Sequence, residues 1–102
     1  MEDGLYKASF SGPLGVGNGV VVVRQNKFSG GDSVIAYVGS FGQSGDKISA
    51  ELQTFRHSGG GFNVLGQDSV NVSLLGSIAA NNTVILKAER IQFSVTLTRI
   101  AA

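Results

Sequence analysis

Residues 47–57 read Lys-Ile-Ser-Ala-Glu-Leu-Gln-Thr-Phe-Arg-His. Ile48, Ala50, Leu52 and Thr54 fall on one side of a period of two; Ser49, Glu51, Gln53 and Phe55 fall on the other. Helical neighbours recur at 3.6 residues, so this alternation specifies a half-buried β-strand. At about eleven residues it is long for a strand, which suits the coiled strand of a barrel.

Upstream lies Phe28-Ser29-Gly30-Gly31-Asp32, followed by an apolar run over 34–41. Gly30, Gly31 and Asp32 are read as a sharp structural turn, with Asp32 bonding its own backbone just beyond it. The run is apolar on both faces: Val34, Ala36 and Val38 on one, Ile35, Tyr37, Gly39 and Phe41 on the other. That is the pattern of a strand crossing the middle of a sheet. Residues 42–46, with glycine at two places, form a hairpin loop.

The flanks repeat the theme. Tyr6, Ala8 and Phe10 alternate with Lys7 and Ser9, and Gly12-Pro13 ends that strand. Residues 15–25 form a second strand whose run 20–23 is valine throughout, so both of its faces are expected to be covered, one by a partner subunit. Gln25-Asn26 is a turn and Lys27-Phe28 a brief strand. Residues 58–61 are a break, and 62–65 are read as one helical turn plugging a barrel end. Residues 68–78 form a strand with Val70, Val72 and Leu74 inward and Leu75 outward. Residues 79–82 turn on asparagine, which accepts left-handed backbone. The last two strands are 83–89 and 91–100, joined at Arg90 by a two-residue turn or a bulge.

The result is an all-β chain of about eight short antiparallel strands with at most one short helical turn. Short connections make consecutive strands neighbours. Closure removes the exposed edges, so a small up-and-down β-barrel is favoured over a two-sheet sandwich. One such domain spans residues 1–102. Its interior is either filled by side chains or holds one small ligand. The candidate interior residues are Tyr6, Phe10, Tyr37, Leu52, Leu74, Phe93 and Val95.

Composition narrows the function. Fifteen glycines and one proline favour turns over helices, since glycine costs about 1 kcal/mol inside a helix. Hydrophobic content is 42% and charged content 15%, which excludes a disordered chain. Net charge is +1 and the eight Lys and Arg are scattered, without the clustering that phosphate backbones require. No nucleic-acid partner is expected. Cysteine is absent, so there is no disulfide framework and no thiolate metal site. Met1-Glu2-Asp3-Gly4 runs straight into Leu5 without signal-peptide regions, and no apolar run reaches the ~20 residues of a membrane helix. The expectation is a cytoplasmic protein with no membrane partner and no cofactor.

No residue cluster spells out a reaction. His57 is the lone histidine, and no carboxylate lies close in sequence to orient it as a base. It reads as an exposed strand-end residue. Gly30-Gly31-Asp32-Ser33 leads into a strand rather than the helix of a phosphate cradle, so it reads as a turn. The seven acids are dispersed and read as solvated surface.

The series Gly4-Leu5-Tyr6, Gly19-Val20-Val21-Val22, Phe28-Ser29-Gly30-Gly31-Asp32 and Tyr37-Val38-Gly39-Ser40-Phe41 resembles the GrlR-type negative regulators of type III secretion. The similarity continues through 47–55 and Gly66-Gln67-Asp68. It lies in order and spacing and covers most of the chain. The resemblance implies a lipocalin-like (calycin-like) barrel and a bacterial, non-enzymatic regulator that acts as a homodimer and sequesters a transcriptional activator. It also implies a partner loop between the fourth and fifth strands; here that loop holds Gln43, Ser44, Gly45 and Asp46, with a single acid. Surplus outward apolar residues independently point to an interface. The candidate dimer surface is Val21, Val23, Leu75 and Ile85. The alternative is a carrier of a small apolar ligand, which requires an internal cavity of about 300 Å³ or more. An enzyme would need clustered titratable groups in one cleft.

Overall fold

A computed structural model describes residues 1–59 and 69–102. Among them the elements are β1 (Gly4–Gly12), β2 (Gly15–Arg24), β3 (Lys27–Gly31), β4 (Ile35–Ser44), β5 (Lys47–Arg56), β6 (Ser69–Ile78), a 3₁₀ turn (Ala80–Asn82), β7 (Thr83–Ala88) and β8 (Ser94–Ala101). Each strand pairs antiparallel with the next, and β8 pairs back onto β1. The fold is therefore a closed up-and-down barrel. The helical turn expected at 62–65 lies outside the described residues.

Alternation sets the inside of the barrel. In β5, Ile48, Ala50, Leu52 and Thr54 are buried while Ser49, Glu51, Gln53 and Phe55 are exposed. The same parity runs around the sheet through register: Tyr37 faces Thr54, and Thr54 faces Val70. Burying one such side chain contributes roughly 1.5–3 kcal/mol. The core is the sum of these inward rows, with Tyr6, Leu74, Val23 and Val84 almost completely enclosed.

The tight turns follow local chemistry. Gln25 and Asn26 both take positive φ (51° and 64°), as a mirror-image two-residue hairpin turn needs. Gly45 takes φ 62° between β4 and β5, and Asn81 takes φ 62° before β7.

Four sequence expectations change. Gly30 and Gly31 are not the reversal; they belong to β3, which runs on to Gly31. Their role is close approach. A β-carbon on Gly30 would run into the Val20–Val21 backbone, and one on Gly31 would lie 2.7 Å from the Ile35 carbonyl oxygen. The chain reverses after them, at Asp32, whose carboxylate caps the turn. Secondly, Gln43 and Ser44 are not loop residues. Strand β4 extends through Ser44 because Gln43 pairs with Ile48 and Ser44 with Lys47, leaving Gly45-Asp46 as the turn. Thirdly, Val21 and Val23 are not surface: they are 4% and 1% exposed. Register with β1 sets Val21 opposite inward-facing Tyr6. Finally, Phe93 precedes β8 rather than lying within it, and the β7–β8 join is longer than Arg90 alone. The Ala88 amide donates to the Phe93 carbonyl at 2.9 Å, closing the connection and turning the Phe93 ring inward.

Candidate functional site

The barrel interior is aromatic at its centre. Tyr6, Phe10, Tyr37, Leu52, Leu74, Phe93 and Val95 are all buried there. The Phe10 and Tyr37 rings meet at 4.8 Å, tilted by 56°, and Phe10 stacks on Phe93 at 6.0 Å. These contacts leave a cavity of about 30 Å³ among the described residues, lined by apolar side chains that include Phe28, Leu86 and Leu97. That is roughly one tenth of the ~300 Å³ a small-molecule site needs. Among the described residues, the Phe10, Tyr37 and Phe93 rings occupy the middle of the barrel.

The polar groups at the β3–β4 end hold one another. Asp32 Oδ1 accepts the amides of Val34 at 2.8 Å and Ile35 at 2.7 Å. Its Oδ2 accepts the Tyr37 hydroxyl. Burial pushes the Asp32 carboxyl up, but the Tyr37 hydroxyl, the Ile35 and Val34 amides and the nearby His57 outweigh it and hold the carboxyl below its ordinary value. Burial, then the Asp32 bond and its charge, push the Tyr37 hydroxyl strongly up.

His57, the residue just after β5, braces this turn. Its amide donates to the Val34 carbonyl at 2.9 Å, and its Nε2 lies 2.9 Å from the Asp32 carbonyl oxygen. A carbonyl only accepts, so Nε2 carries hydrogen. Nδ1 lies 2.8 Å from the Ser58 hydroxyl, which donates to it when the ring is neutral. The ring is oriented by a backbone carbonyl, and the neighbouring carboxylate serves the turn. As a unit these residues fasten three strand ends together.

Arg99 also has a structural position. Its Nε and Nη2 donate to the Asp3 carbonyl at 3.2 and 2.9 Å, and its Nη1 lies 3.7 Å from Glu2. The tip of the β4–β5 hairpin is pinned as well. Gln43 Nε2 donates to the Gly45 carbonyl at 3.0 Å, Ile78 donates to the Asp46 carbonyl at 2.8 Å, and the Met1 amine donates to Gln43 Oε1.

The outer surface carries the feature that sequence reasoning missed. Val20 and Val22, not Val21 and Val23, face outward, at 46% and 47% exposure. Cross-strand register builds them into rows. Val20, Gly31, Ala36 and Phe55 follow one another across β2, β3, β4 and β5. Val22, Ser29, Val38 and Gln53 form the next row, and Arg24, Lys27, Ser40 and Glu51 the one after. Phe55 is 41% exposed at the far side of the first row. The outcome is an apolar patch of Val20, Val22, Ala36, Val38 and Phe55, low along β3, with charges along one margin. Only the strand register gathers these residues. Leu75 and Ile85 are outward too, as expected, but their strand partners are Ser49, Lys87, Ser77 and Thr96. They are diagonal neighbours across β6 and β7, a two-residue apolar spot among polar partners, which is ordinary for a protein surface.

No protein-family model matches this chain, and no curated protein matches it.

Proposed function

We propose that this chain is a non-enzymatic binding protein of the GrlR-like kind, acting in the cytoplasm through protein–protein contact as a homodimer. The single observation carrying the reading is the outward apolar patch of β2–β5. Four of its members, Val20, Val22, Val38 and Phe55, stand on neighbouring strands with no large polar side chain between them in β3. Clustered apolar groups on an outer sheet face are most stable when covered by another protein surface. The small size of the inner cavity among the described residues supports the same reading over that of a carrier, with the barrel serving as a scaffold for its outside. Sequestration of a transcriptional activator is the further part of this proposal, drawn from the pattern of the sequence.

Sedimentation equilibrium of the purified chain tests the reading. A dimer in the micromolar range is expected. A monomer at every concentration up to the millimolar range would remove it. In the cell of origin, deletion of the chain should raise transcription of type III secretion genes; unchanged transcription would remove the regulator assignment while leaving the binding surface.

A further inference from the structure

We propose that the β2–β5 face packs against the same face of a second copy about a two-fold axis lying along β4. This pairing rests on the homodimer reading above and specifies which residues meet.

An isologous contact requires a surface that complements itself. With the axis along β4, Ala36 meets Ala36 and Val38 meets Val38 across the contact, while β3 of each copy lies over β5 of the other. In the first row this seats Phe55 of each copy over Gly31 of the other. In the third row it sets Lys27 of each copy opposite Glu51 of the other. Both matches follow from registers already described: Gly31 and Phe55 each pair with Ala36, and Lys27 and Glu51 each pair with Ser40.

The side-chain sizes suit two convex barrels touching along a line. The central residues, Ala36, Val38 and Ser40, are small, so the β4 strands can approach. The flanking residues, Phe55, Lys27 and Glu51, are long and reach across the widening gap. Gly31 offers the Phe55 ring a hollow, and it admits no side chain of its own because a β-carbon there meets the Ile35 carbonyl oxygen at 2.7 Å.

Charge decides the direction of the axis. Within one copy, Lys27 and Glu51 stand two strands apart, about 10 Å. Ser73 Oγ lies 2.9 and 2.8 Å from the two carboxylate oxygens of Glu51, which holds that side chain on the outer face. The axis along β4 brings each Glu51 against Lys27 of the other copy, with Arg24 on the adjoining strand. An axis across the strands would instead set Phe55 over Glu51 and Val20 over Arg24, burying charges against apolar groups at a desolvation cost.

The test is a charge-swap cycle on the full chain, read by sedimentation equilibrium at low salt. Lys27→Glu and Glu51→Lys are both exposed changes, and circular dichroism and thermal unfolding of each variant confirm the fold. Each single reversal creates two like-charge contacts and should weaken dimerisation about tenfold or more. The double variant K27E/E51K restores the pairing with its sign exchanged and should return to within about threefold of wild type. Phe55→Ala should weaken the dimer independently of salt. A wild-type dimer in which the double variant is weaker than either single one would overturn the proposed axis while leaving the homodimer intact. A wild-type monomer would overturn both.

Discussion

The ring of Phe28 lies over Gly39 of the adjacent strand, where a β-carbon would otherwise stand. The two are cross-strand partners on the inner face, so the aromatic ring covers a glycine that contributes no side chain to the barrel. Gly39→Ala would push a methyl group against that ring and against the Glu51 backbone. Overpacking of this kind typically costs 1–3 kcal/mol. Urea denaturation should show G39A destabilised by about 2 kcal/mol, and a neutral result would mean that the Phe28 ring and the Glu51 backbone both yield freely.

The Asp32 turn should be a stability determinant although it is only part-buried. Asp32→Ala removes an acceptor for two amides and a hydroxyl, and charge-assisted bonds of this type contribute about 1.5–3 kcal/mol each when intact. Solvent at the turn replaces part of that, so the expected loss is about 2 kcal/mol. Asp32→Asn keeps an acceptor for the amides and should lose less. Equal losses in the two variants would show that charge, not turn geometry, carries the effect.

Stability should fall at both ends of the pH scale through this same pair. Asp32 is held below its ordinary value in the folded chain. Its contribution is therefore complete above the unfolded value near 3.9 and disappears as pH drops through the lower native value. The melting-temperature gap between wild type and D32N should shrink below about pH 4. Tyr37 is shifted the other way, so its contribution is complete below about 10 and disappears as pH climbs beyond that. Burial also raises the hydroxyl of Tyr6, the second of the two tyrosines, with Arg99 opposing and Glu2 and Asp3 adding to it. Phenolate absorbance at 295 nm should consequently lag behind that of free tyrosine, which titrates near pH 10; half of it titrating near pH 10 with circular dichroism unchanged would contradict the buried geometry.

Thr54 offers a stabilising substitution. It is 2% exposed, and its hydroxyl oxygen has no hydrogen-bond partner among the described residues. An unsatisfied buried polar group costs about 1–3 kcal/mol. Thr54→Val keeps the shape and removes the group, so it should raise stability by about 1 kcal/mol in chemical denaturation. A loss of that size would reveal a partner for the hydroxyl.

Much of the barrel was legible because alternation is a local signal. The polar marks at Ser49, Glu51 and Gln53 identify the outer face of β5 without any neighbour, and Lys7 and Ser9 do the same for β1. The valines at 20–23 carry no such mark. Reading their parity from side-chain type is impossible, and a slip of one residue exchanges inside for outside. Gly30-Gly31 misled for a related reason: a glycine pair signals either a turn or a close backbone approach, and only the neighbouring strands distinguish these. The Asp32 side chain was correctly expected to bond backbone just beyond itself. Its bond to Tyr37, five residues on, requires the turn to bring the inner face of β4 alongside it.

By itself, then, the chain of residues determined an all-β molecule of short strands, its turn at Gln25-Asn26, a reversal somewhere within residues 42–46, and most of its inward side chains. These depend on period and on backbone preference, which act over a few residues. The tertiary structure alone decided that the Phe10, Tyr37 and Phe93 rings meet inside the barrel, that Val20 and Val22 look outward, and that Phe55, Ala36 and Gly31 share a row. Those facts depend on register between strands, and register is set by the simultaneous pairing of every strand with two neighbours around a closed ring.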